Sequence, residues 1–171
     1  MNIWLGLSKR IDAFSRWTGI ACSYLMIPLT LLVVYEVVTR SFQHPTVWTF
    51  EMSNFFYGAH FMLVAAYGLL YKSHVTIDLF SGRFSPKTQA VMSLIGYLFM
   101  YFPFIAVFIW FGFSYSLNSW SMLEKSWSIW GPPLYPIKTV IPITAVMLLL
   151  QGISEVIKTV NVLVQKKGVN P

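Results

Sequence analysis

A chain of 171 residues that is 56% hydrophobic, 18% aromatic and only 11% charged lacks the polar residues to give a folded core a water-compatible surface, which excludes a soluble domain and points to a single integral membrane domain over 1–171. The net charge of +6 would suit nucleic acid, but the basic residues stand in short groups between apolar runs, as topology signals do, so membrane lipid and not nucleic acid is the expected partner. Cys22 is the only cysteine, so neither an intrachain disulfide nor a cysteine metal cluster can form.

Residues 2–16 are amphipathic. On a helix Ile3, Trp4, Leu7, Ile11 and Phe14 share an arc about 100° wide, with Asn2, Lys9, Asp12 and Arg16 opposite, which predicts an interfacial helix lying in the headgroup region. The uncharged run from Trp17 to Tyr35 is longer than a signal-peptide core and no small-x-small cleavage pattern follows it. It reads as the start of a first span, about 17–38, with a kink at Pro28. Glu36 and Arg40 close that span at an i, i+4 spacing suited to a local ion pair. The connector Ser41–Val47 is too short for anything but antiparallel neighbours.

The second span, about 48–71, carries a polar mouth at Trp48-Thr49-Phe50-Glu51 and no formal charge from Met52 to Tyr71, a run of roughly 30 Å of helix. Glu51, Asn54, Gly58 and Ala65 fall within about 60° of one another, polar at the mouth and small further in, where a second backbone can approach closely. His60 points the other way. A polar turn with His74 and Asp78 follows, and Ser85-Pro86 supplies a cap and a first helical residue. The third span is expected at about 88–117. The uncharged run from Thr88 to Leu123 is longer than a bilayer needs, so that helix tilts, bends at Pro103 or projects with its aromatic tail. The next connector, with Trp120, Trp127, Trp130 and several prolines, is too apolar for a solvated loop. The last span, about 135–156, has a polar stripe of Thr144, Gln151, Glu155 and Lys158.

Basic residues set the orientation. Lys9, Arg10, Arg16, Lys72, Arg83, Lys87, Lys158, Lys166 and Lys167 fall on one side, and Arg40, Lys125 and Lys138 on the other. The excess belongs in the cytoplasm, so the expected fold is all-α, with four transmembrane helices, an N-terminal interfacial helix and both termini cytoplasmic.

A proton-coupled carrier needs an ionisable group buried in its pathway, and only His60 lies at depth. A haem anchor needs two axial ligands at matching depth, and His60 has no histidine opposite, although a methionine could serve. No phosphate loop, zinc spacing or nucleophile triad is present, so no catalytic, cofactor or metal residue is assigned. The polar collars and aromatic loops instead suit a subunit of something larger.

The Arg40 that ends the first span, Trp48-x-x-Glu51, His74-Val75-x-Ile77-Asp78, and Pro136-x-Lys138-x-x-Ile141-Pro142 with Gln151 resemble, over about residues 10–160, the DctQ-like small membrane (Q) subunit of tripartite ATP-independent periplasmic (TRAP) transporters. The resemblance implies a multi-pass subunit in a bacterial inner membrane, partnered by a large membrane (M) subunit with the substrate and sodium sites and by a periplasmic substrate-binding (P) protein. Uptake would follow an ion gradient, and the small subunit would brace the large one. Gly131-Pro132-Pro133 and the long third span resemble the branch that carries organic acids or related small solutes. On this reading Arg40 pairs with Glu51, His74 and Asp78 fix a turn, and Lys138 meets lipid phosphate or an acid on the partner. Trp120, Trp127 and Trp130 dock the binding protein or serve as plain interfacial belt residues. The alternatives are a membrane anchor of a redox complex, binding haem or quinone near His60, and a purely structural membrane protein.

Overall fold

The computed structural model describes residues 2–71 and 85–165, so the His74 and Asp78 expectations lie outside the described residues. Helix α1 (Asn2–Ser23) runs through the expected boundary at residue 16 and joins the amphipathic segment to the first apolar run. Helix α2 (Met26–Ser41) follows after a two-residue interruption at Tyr24 and Leu25. Pro28 explains the interruption: it has no N–H for the Tyr24 carbonyl, and its ring would meet that oxygen in a continuous helix. The chain instead closes the end of α1 with tighter bonds, Tyr24 N–H to Ala21 O at 3.3 Å and Leu25 N–H to Cys22 O at 3.1 Å. The irregularity expected at Pro28 therefore falls one turn upstream.

The second arm comprises α3 (Thr49–Leu63) and α4 (Ala65–Leu70), interrupted at Val64 with no proline to cause it. Helix α5 (Pro86–Gly96) starts as expected, with Ser85 Oγ accepting from the Thr88 N–H at 3.3 Å. It passes through a π turn, Tyr97–Tyr101, into α6 (Phe102–Ser121). The wider turn sits just before Pro103, which offers no N–H to the preceding turn, so the bend expected at this proline takes the form of a π turn. The short helix α7 (Tyr135–Lys138) is separated by Thr139 from α8 (Val140–Gln165), where Pro142 stands third in its helix as Pro28 does in α2. Helix α8 continues nine residues beyond the expected end of the last span, 156, because its polar stripe is covered by protein.

Among the described residues, three helical stretches are long and apolar enough to cross a membrane: Trp4–Ser41, Lys87–Ser121 and Tyr135–Val164. The arm split at Val64 is not one of them.

Helix α8 is the hub, packed against α1, α3, α4, α5 and α6, whereas α2 lies mainly along α3 and buries none of its residues. The interior is small and polar, with Ala66, Ala145, Ser8, Ser15, Thr49, Thr144, Gln151 and Ser154 all buried. Large apolar side chains face outward, Trp110 being 72% exposed. That inversion is what a lipid solvent asks for: hydrocarbon gives no reason to bury leucine, while polar groups must find partners inside the protein.

Candidate functional site

Polar side chains gather at the two ends of the bundle and tie its elements together. At the end carrying the connectors, Glu36 of α2 accepts from Arg40 at 2.7 Å and from the Thr49 hydroxyl of α3 at 2.6 Å, with Thr46 of the connector also donating to it. One carboxylate thus joins α2, the connector and the first residue of α3. The expected Arg40–Glu51 pair does not form, because the i, i+4 acid on Arg40's own helix is nearer. The Glu36–Arg40 pair expected from spacing does form.

Glu51 turns instead to the 122–134 connector, where the Ser126 hydroxyl donates to its Oε1; its Oε2 is buried without a donor. Trp48 packs on Tyr35 with ring centroids 6.0 Å apart. Asn54 is exposed and a Cβ at Gly58 would meet open space, so the polar and small face of α3 looks away from the bundle.

The connector is folded on itself. Lys138 Nζ pairs with Glu124 at 2.5 Å and lies 4.2 Å from the centre of the Tyr115 ring, so the acid it meets here is one of this chain's own, where an acid on the partner or lipid phosphate was expected. That ammonium holds the Glu124 carboxyl below its ordinary range. Trp120 packs tilted against Tyr135, ring centroids 4.4 Å apart, and donates from Nε1 to Thr139 at 2.8 Å. Leu123 and Gly131 take positive φ, 46° and 59°, which turn the loop back so that Lys125 and Pro133 bridge. Trp127 and Ile129 stand almost fully exposed at the tip, and Trp130 is partly covered.

At the opposite end, α1 docks on α8 through a buried network. Lys158 Nζ lies 2.8 Å from Asp12 and 2.6 Å from Glu155. Gln151 Nε2 donates to Asp12 at 3.1 Å and to Glu155 at 3.3 Å, and Ser154 Oγ to Asp12 at 2.7 Å. Ser8 and Ser154 hydroxyls meet at 2.7 Å. Ser8, Ser15 and Gly19 are buried on the same side as Asp12, while Trp4, Leu7 and Phe14 are exposed. The helix expected to lie in the headgroup region is therefore bonded to the bundle through Ser8 and Asp12, while Lys9 and Arg16 of its polar side stay exposed. Gln151 is a fully buried member of this network, and Pro142 is buried against α6 beside Gly112.

Midway, His60 Nδ1 bonds the Cys22 carbonyl at 3.0 Å. That oxygen also accepts from the Leu25 N–H at the α1–α2 interruption, so His60 is its second partner and serves as a hydrogen-bonding contact in packing. Among the described residues no group of three or more His, Cys, Asp or Glu side chains is arranged to hold a metal ion.

Asp12, Thr49, Ser126 and Ser154 are the tying residues that the sequence reading missed, and Glu36, read only as the partner of Arg40, also holds Thr46 and Thr49. The signal for the α1 contact was Ser8-x-x-x-Asp12-x-x-Ser15-x-x-x-Gly19, a small and polar stripe complementary to Gln151-x-x-Ser154-Glu155-x-x-Lys158.

Compared with models of known protein families, residues 29–161 match the one described as tripartite ATP-independent periplasmic transporters, DctQ component. The match covers most of the chain and takes in Arg40, Trp48, Glu51, Lys138, Pro142 and Gln151. No curated protein matches the chain. The match is to a transporter component and lends no support to a redox anchor.

Proposed function

Given that the chain belongs to the DctQ family, as a small membrane subunit of a TRAP transporter, we propose that it braces the large membrane subunit during sodium-coupled uptake of an organic acid or related small organic solute, and carries no solute itself. In this reading it crosses a bacterial inner membrane four times with both termini cytoplasmic, the Thr49–Leu70 arm making the fourth crossing. The Trp127 tip then faces the periplasm, beside the binding protein that delivers substrate.

The observation that supports a brace is the use made of charge. Glu36, Glu124 and Asp12 each bind a basic residue or hydroxyl of this same chain and join separate elements, and Glu155 holds Lys158 of its own helix beside Asp12, which stiffens a body and leaves those groups engaged. A carrier keeps intramembrane ionisable groups available to its cargo.

Reconstitution tests this. Vesicles holding the chain alone should show no sodium-driven uptake of any organic acid, vesicles holding both membrane subunits and supplied with binding protein should show it, and those with the large subunit alone should lose most of it. Uptake by this chain alone, or full uptake without it, would overturn the reading.

A further inference from the structure

Where the 122–134 connector crosses the start of α3 it leaves an open apolar groove of about 610 Å³. Its walls are Met52 and Phe55 of α3, Trp130 and Pro132 of the connector, and Ile137 and Val140 around the α7–α8 junction. The connector wall is held in shape by Ser126 N–H to Pro132 O at 2.9 Å and Gly131 N–H to Ser128 Oγ at 3.1 Å. Next to Met52, Glu51 spends one carboxylate oxygen on Ser126, while the other is shut off from water with no donor. On the helical wheel Glu51 lies between Phe55 on one side and Gly58 and Asn54 on the other. Asn54 is exposed and the space over Gly58 is open.

Apolar walls alone would be content with lipid. A carboxylate with no ion pair among the described residues and an exposed amide on the same arc would not, since acyl chains have nothing to give them and anionic phosphate headgroups are repelled by Glu51. The complementary occupant is a protein helix that sets an apolar side chain in the groove, lies close over Gly58, hydrogen-bonds the exposed Asn54 amide and brings an ammonium or guanidinium near the Glu51 carboxylate. We propose that this groove and the Glu51 arc beside it are where the large membrane subunit docks. The proposal rests on the bracing function above and assigns it a face of the molecule and a chemistry of contact.

The test uses the co-expressed membrane complex with a benzophenone amino acid in place of Phe55, compared with the same probe in place of Phe99, which is 72% exposed on the π turn and away from the groove. Irradiation should join the chain to the large subunit from position 55 and to lipid from position 99. In parallel, Glu51→Gln should lower the amount of large subunit co-purified by roughly tenfold, as expected when one partner of a charge-assisted contact is removed, with Glu51→Asp recovering part of it. The unlabelled chain's helix content by circular dichroism should be the same for all three. Adducts from position 55 only to lipid or to the binding protein would overturn the groove while leaving the brace standing, provided the wild-type subunits still co-purify. Failure of the wild-type subunits to co-purify would overturn both.

Discussion

At the scale of single residues, two acids of similar appearance in the sequence have different work. Glu36 satisfies a guanidinium and two threonine hydroxyls, and closes the joint between α2 and α3. Glu51, which the sequence motif made prominent, has one oxygen left over. Glu124 is the acid whose protonation should be visible from outside the bilayer. Its carboxyl ordinarily titrates near 4.5, and the Lys138 ammonium lowers that value in the folded chain. A group with a depressed folded pKa stabilises fully above its unfolded value and loses that contribution as pH falls through the folded one. The clasp across the connector should thus be intact at neutral pH and loosen in acid, beginning below about 4.5 and completing only once pH drops past the lowered pKa. Tryptophan fluorescence should report it, because Trp120 is packed against Tyr135 and hydrogen-bonded within that clasp. In Glu124→Gln the change over that acid range should vanish; an unchanged acid transition in this variant would place the titrating group elsewhere.

At the scale of elements, prolines and glycines decide where helices break and how closely they approach. Pro28 and Pro142 each interrupt a helix upstream of themselves, and Pro103 follows a π turn, all within runs that hydropathy alone reads as continuous. Gly19 and Gly152 permit the two tightest contacts: an added Cβ at Gly19 would run into Tyr67 of α4, and one at Gly152 into the ring of Tyr101. Tyr101 also donates its hydroxyl to the Leu148 carbonyl at 2.8 Å, so the π turn is pinned against the hub helix at this level. Gly152→Leu should push the two apart and lower the thermal midpoint of the purified chain by several degrees, about the effect of 1–3 kcal/mol of overpacking in a chain of this size. Gly58→Leu, at a position with no neighbour within 4 Å, should leave that midpoint unmoved. Equal losses at both positions would mean that the contact between the π turn and α8 is not the tight one.

At the scale of the whole molecule, the elements were legible in the sequence and their pairing was not. Apolar runs, the Ser85-Pro86 start and the Glu36–Arg40 spacing placed helices and one ion pair correctly. The docking of α1 on α8 was missed because a helical wheel shows which residues share a side and says nothing about what covers that side. In water the apolar arc goes inward; here Trp4 and Phe14 are exposed and Asp12 is bonded to α8. Glu51's contact with Ser126 depends on the path of an irregular connector, for which periodicity holds no signal. The same inversion gives the molecule a test that separates it from soluble proteins. Replacing a buried ionic cluster by leucines in a soluble core is commonly neutral or stabilising, because hydrophobic burial takes over. In a bilayer, lipid tails compete with leucine on equal terms, so Asp12→Leu, Glu155→Leu and Lys158→Leu together should release α1 from α8. Spin labels at Leu5 and Val160, both on the wall of the α1–α8 cleft, should give one narrow distance in the parent chain with Cys22→Ser, and a broad distribution in the triple variant. A narrow distribution in the triple variant would mean that shape alone seats α1, and that the polar network between them is dispensable for the docking of the helix.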